Sequence, residues 1–152
     1  MEFIEFLDQE EIEIIRMVEQ AGYSTEENTS LCLLSEKYAG FLKKKEKTVV
    51  ICTDNAKKRE AYTVPSKRNS DTYERTAIHI KKALRHEAVH VAQECNDGNL
   101  LFIKKKLSIN PAKVRALKES RNLSGEEEKE RQAYILEDQP KSVKEELKKY
   151  CL

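Results

Sequence analysis

Two histidines, His86 and His90, stand four residues apart with Glu87 beside the first, in the run Ala83-Leu84-Arg85-His86-Glu87-Ala88-Val89-His90-Val91-Ala92. On a helix, side chains at i and i+4 point the same way one turn apart, so both imidazoles can grip one ion. Zinc suits them, at about 2.0–2.1 Å from each nitrogen. Glu87 then lies close enough to reach a water on that ion without itself being a ligand. The ion acidifies the water, and the carboxylate takes its proton as hydroxide attacks a carbonyl. By average residue usage, H-E-x-x-H arises by chance in roughly one chain of this length in a few hundred. Here it falls in a helical pattern, and Ala88, Val89, Val91 and Ala92 allow the motif turn to be buried.

A catalytic zinc takes three protein ligands and keeps one position open. The remaining histidine, His79, is seven residues before His86, about 10.5 Å away by helix rise, and is too far to join. Cys95 and Cys151 have the wrong company. The third ligand is therefore expected to be a carboxylate. Glu130, in Glu130-Arg131-Gln132-Ala133-Tyr134, stands where a polar run gives way to an apolar one, and Ala133 would let its helix approach closely. Glu127 and Glu137 are the alternatives. Glu94 would require a single straight helix to supply all three ligands.

These residues resemble the zincin metallopeptidases, whose fold sets H-E-x-x-H on a central helix beneath a small sheet. The metzincin extension is absent, since Gln93 and Asn96 stand where a glycine and a histidine would be needed. The Glu130–Ala133 pair is similar to the gluzincin pattern. The resemblance implies Zn2+ on His86, His90 and Glu130, with Glu87 as general base and a peptide or protein as substrate. It departs from the large gluzincins at Tyr134, which occupies the place of a supporting Asp four residues after the ligand. No later histidine is present to stabilise the oxyanion. Tyr134 could donate that hydrogen bond, or an arginine could; Tyr134 could equally be a core aromatic. The alternative reading is a catalytically silent zinc-binding module of the same fold, and a third is a metal-free helical interaction protein.

The elements that must position these groups are mostly helical. The 152 residues fit one domain, and four glycines and three prolines punctuate them sparsely. Asp8 to Gly22 reads as a helix with Glu11 completing a capping box and Ile12, Ile15 and Val18 on one face. Leu31, Leu34, Tyr38 and Phe41 have helical spacing and predict a second helix over 26–42. Thr48–Thr53 is β-branched and reads as a strand, with 61–64 as a hairpin partner and a polar loop over 66–70. As the edge strand before the motif helix, it could pair with an extended peptide or be purely internal. Asp71–Asn96 is the motif helix, stopped by Gly98. Further helices are expected from Asn110-Pro111, from Ser124 to Pro140, and from Ser142 to Cys151. The expectation is an α+β, mostly helical, zincin-like minimal domain.

Charge excludes little by itself, but it argues against nucleic acid as a partner. The chain carries 28 basic and 27 acidic residues, net +1. Basic clusters at 43–45, 57–59, 67–68 and 104–106 read as solvated lysines and arginines balanced by acids. No apolar run reaches the ~20 residues of a membrane span. The acidic start lacks a secretory pattern, so a cytoplasmic protein is expected. Its four cysteines, Cys32, Cys52, Cys95 and Cys151, are then expected to be reduced thiols, with disulfides in one of three pairings as the alternative.

Overall fold

A computed structural model describes residues 1–62, 71–103, 113 and 126–152. Helix α1 (Gln9–Gln20) opens on Asp8 with the capping box to Glu11 in place. It buries Ile14, Ile15 and Val18, so its inner face is turned slightly from the expected one, leaving Ile12 only half-buried. It stops at Gly22, whose φ of +93° is a backbone conformation that suits glycine.

The expected helix over 26–42 is not formed. That stretch instead gives strand β1 (Ser24–Glu27), a 3-10 turn (Ser30–Leu33) and strand β2 (Gly40–Lys43). Strand β3 (Thr48–Ile51) lies between them, parallel to β1 and antiparallel to β2. The helical spacing of Leu31, Leu34, Tyr38 and Phe41 is overridden by non-local pairing. Leu34 is 64% exposed, so the supposed stripe has no core to face. The irregular segment is held instead by the Cys32–Cys52 disulfide and by Asn55, whose Nδ2 donates to the carbonyls of Cys32, Ser35 and Tyr38.

Strand β3 is the interior strand rather than an edge, and all four of its residues are buried, as a run of Thr-Val-Val-Ile permits. The hairpin partner expected at 61–64 is also corrected. Residues Thr53–Arg59 form helix α2, Ala61 has φ +52°, and Tyr62 packs edge-on against Phe6 and Tyr73. Thr63, Val64, the polar loop at 66–70 and the helix start at Asn110-Pro111 lie outside the described residues.

Helix α3 (Asp71–Cys95) is the axis of the fold and packs on α1, α2, β2 and β3. Ile80, Leu84, Ala88 and Val91 are fully buried along it, with Ala77, Ala83, Val89 and Ala92 buried on its flanks. A helix buried on so many sides fits a central position. Asp97 and Gly98 end it in left-handed conformations, and Gly98 N–H donates to the Gln93 carbonyl at 2.9 Å. Helix α4 (Glu127–Leu136) and helix α5 (Pro140–Cys151) pack against its C-terminal half. Helix α5 opens at Pro140, not at Ser142, because proline is tolerated at the first helical position. The molecule is thus α+β and mostly helical, with one small sheet. The cysteines are paired rather than reduced: the second disulfide joins Cys95, at the end of α3, to Cys151, at the end of α5. No helix among the described residues is long and apolar enough to cross a membrane.

Candidate metal centre

His86 and His90 lie on consecutive turns of α3, with ring centroids 5.0 Å apart and both residues buried. Helix α4 brings Glu130 between them. Its Oε1 is 2.6 Å from His90 Nε2 and its Oε2 is 3.3 Å from His86 Nε2. Ala133, one turn beyond Glu130, is fully buried, as a helix packed closely on its neighbour allows. The three groups can each offer one ligand atom within 4.8 Å of the others. Donors around a tetrahedral zinc, each at about 2.1 Å, stand about 3.4 Å apart. The His86 contact, at 3.3 Å, is close to that spacing, and the His90 contact, at 2.6 Å, is shorter.

The residues fit zinc on three further grounds. Two imidazoles and one carboxylate form a donor set that zinc favours and that leaves a fourth position for chemistry. His90 Nε2 is buried and makes no directed hydrogen bond, although Glu130 Oε1 is near. Each histidine also has its other ring nitrogen against an oxygen: His86 Nδ1 is 3.1 Å from Glu137 Oε1, and His90 Nδ1 is 2.7 Å from Gln93 Oε1. That backing leaves Nε2 as the metal-facing atom on both rings.

Electrostatics follow from three carboxylates around these rings. Burial opposes a charge on His86, but Glu130, Glu137 and Glu87 outweigh it and push its pKa up to about 10. Burial raises Glu130 as well, yet the two histidines win and hold its carboxyl far below the usual range. Glu87 is different. Burial pushes it up, and the opposing pull of His86 and His90 does not cancel that. A raised carboxyl is better able to accept and return a proton near neutrality.

The Glu87 side-chain stem lies against the sheet. A Cβ built on Gly40 would lie 3.3 Å from Glu87 Cγ and 3.1 Å from the Val50 carbonyl oxygen. Glycine at the start of β2 therefore lets that strand sit directly on the motif helix. Strand β2 is an outer strand of this sheet, and it takes the place that the sequence reading gave to Thr48–Thr53.

Of the other expected candidates, Glu127 is exposed and stays out of the cluster, and Glu94 is 4.0 Å from Lys44 Nζ. His79 pairs with Glu60 at 2.8 Å on the outer face of α3. Glu137, an alternative ligand by sequence, instead backs His86. It supplies from seven residues beyond Glu130 the supporting carboxylate missing at Tyr134. Lys113 Nζ lies 3.3 Å from Glu137 Oε2, and the Arg85 side chain donates to the Glu137 carbonyl and, at 3.1 Å, to buried Glu11. The Tyr134 ring packs edge-on against His86, with centroids 4.5 Å apart. Sequence reasoning passed over Gln93, whose role depends on which residues of α4 come beside it. Lysines of two basic clusters meet acids, Lys43 with Glu26 and Lys57 with Glu2. The clusters at 67–68 and 104–106 lie outside the described residues.

No curated protein and no solved structure matches the chain. One protein family does, described as a domain of unknown function, DUF8637, and its model spans residues 3–152, so the chain belongs to that family.

Proposed function

We propose that this chain is a zinc-dependent metallopeptidase, with His86, His90 and Glu130 as ligands and Glu87 as general base. The observation that carries this reading is Glu130: a carboxylate on a separate helix, far along the chain, meets the Nε2 atoms of both motif histidines. Zinc, when bound there, supplies Lewis acidity that acidifies water and polarises a carbonyl. The residues of the chain supply the rest. Glu87, held between α3 and β2, accepts the attacking water's proton on its carboxylate and returns it to the departing amine. Its raised pKa suits both steps. Glu137 and Gln93 hold the imidazoles in place. Tyr134, edge-on beside His86, is the candidate donor to the developing oxyanion. The outer edge of β2 would take an extended peptide as an added strand.

The disulfides bear on the expected cytoplasmic setting. Two disulfides, Cys32–Cys52 and Cys95–Cys151, favour an oxidising compartment.

The decisive test pairs metal content with one substitution. Purified protein should carry about one zinc per chain. Glu87→Gln should keep that zinc while peptide cleavage falls about 10²–10⁴-fold, as expected for loss of a general base. Protein that stays metal-free when zinc is supplied would refute the assignment. Full zinc with no cleavage across a broad peptide library would leave a silent binding module in its place.

A further inference from the structure

His90 differs from His86 in what stands behind it. His86 has a carboxylate, Glu137; His90 has an amide, Gln93, only 2% exposed. A carboxylate can only accept, so it fixes the imidazole's proton by itself. An amide can donate or accept, depending on which way it is turned, so something else must decide its orientation.

Backbone groups decide it. Gln93 Nε2 lies 3.1 Å from the carbonyl oxygen of Lys129, which has no proton to give. The amino group must therefore face Lys129, and Oε1 must face His90. The second proton of that amino group goes to Gln132 Oε1, 3.0 Å away on α4. Gln132 is oriented in turn by one residue: its Nε2 donates to the Leu101 carbonyl and its Oε1 accepts from the Leu101 N–H, both at 2.9 Å. Each donor and acceptor in this chain has one permitted direction. At its far end His90 Nδ1 must carry a proton, so in the neutral imidazole Nε2 carries the lone pair.

We propose that Gln93 and Gln132 are positioning residues that commit His90 to the tautomer able to bind a metal through Nε2. This rests on the zinc reading above and adds residues that neither touch the metal nor belong to H-E-x-x-H. The relay also ties three separate pieces of chain to one ligand: α3 through Gln93, α4 through Gln132, and the segment after α3 through Leu101. A largely enclosed network of this kind acts as a unit, because the buried Gln93 amide is costly to leave with an unmet partner.

The test reads zinc affinity by competition with a chromophoric chelator, with disulfides intact, beside the ¹H–¹⁵N spectrum of zinc-loaded protein. Wild type should show a slowly exchanging proton on His90 Nδ1 and zinc on Nε2. Gln93→Leu should bind zinc about 10–100-fold more weakly, the range for loss of a partner behind a ligand. Its His90 Nδ1 proton should exchange fast while that of His86 stays protected. Gln132→Leu should move both readouts the same way by a smaller amount, and it decides the matter together with the wild-type spectrum if Gln93→Leu fails to fold. Wild-type protein that takes up no zinc overturns both the metal reading and this one. Wild type that binds zinc, with Gln93→Leu binding equally well or with His90 coordinated through Nδ1, overturns this inference alone.

Discussion

The two halves of α3 each carry histidine facing carboxylate, with opposite results. In the N-terminal half, His79 meets Glu60 at 2.8 Å, and Arg75 reaches the same carboxylate at the same distance. All three groups are partly open to solvent, and His79 and Arg75 each take one oxygen of Glu60, the arginine bringing a fixed positive charge and no lone pair. In the C-terminal half, His86 and His90 are buried and turn their Nε2 atoms on a single carboxylate, while their Nδ1 atoms are held from behind. Residue type is shared, so it does not separate the two. What separates them is convergence: one arrangement is complete as an ion pair, whereas the other gathers lone pairs at a point. A helix packed on one side supports the first, and only a helix enclosed by other elements supports the second.

The largest effect should come from breaking convergence directly. His86→Ala or His90→Ala should abolish stoichiometric zinc in metal analysis, while His79→Ala keeps about one ion per chain. Retention of zinc by either motif variant would erase the contrast. Glu130→Ala should likewise lose zinc, and Glu127→Ala, exposed on the same helix, should not.

Next is the covalent support of the enclosed half. The Cys95–Cys151 bridge spans a sequence separation of 56. Replacing both cysteines with alanine should lower unfolding free energy by about 4 kcal/mol on loop-closure grounds. Replacing Cys32 and Cys52, with a separation of 20, should cost somewhat less, and only the first pair should affect zinc retention. Denaturant titration with and without zinc would show both effects, and equal effects on zinc would contradict the difference drawn between the regions.

A smaller change tests the backing of His86. Glu137→Ala should weaken zinc binding by about 10–100-fold without removing it, since Glu137 is behind the ligand and not a ligand. A complete loss would move Glu137 into the coordination shell.

The smallest effect belongs to the outer pair. His79, then Arg75, hold the Glu60 carboxyl below its ordinary 4.5 through their hydrogen bonds. A depressed carboxyl contributes stability that is fully present above the unfolded value and is lost as pH falls through the folded one. Glu60→Gln should therefore melt slightly lower than wild type at pH 7, with the difference vanishing as pH falls through the lowered Glu60 value, and with zinc content unchanged at pH 7. A Glu60→Gln variant that loses zinc would show that the two halves of α3 are coupled.

The sequence carried some of these features and hid others for physical reasons. Helix α1 was legible because Asp8, Glu11 and Gly22 signal its ends locally. Helix α3 was legible because its apolar residues repeat over many turns. The candidate ligand Glu130 could be reached because zinc chemistry demands a third donor and the small Ala133 would permit a close approach. Residues 24–43 were not legible. Their apolar spacing mimics a helix, while their structure is set by pairing to Thr48–Ile51 and by Cys52, which lie beyond any local window. Gln93 and Glu137 were visible as residues but not as supports, because each role exists only once α3 and α4 are side by side. Gly40 belongs with them: its small size matters only against Glu87 and Val50.

The Cys95–Cys151 bridge closes a ring of chain that contains Glu130 but neither histidine. One end of that ring is fixed five residues past His90, on the same helix, so α4 is leashed to the histidines from both directions. If α4 lifts away, Glu130 cannot diffuse far. Its local concentration around the two rings stays high, and recapture competes with escape of the ion. Reduction would open one side of the leash and enlarge the volume that Glu130 explores, though the equilibrium cost of a longer loop grows only by about 0.6 kcal/mol per doubling. The bridge should accordingly show itself more in how long zinc stays than in how tightly it binds. Zinc transfer to an excess of chelator should be slower before reduction than after it, and identical transfer rates would mean that the ion leaves without α4 opening at all.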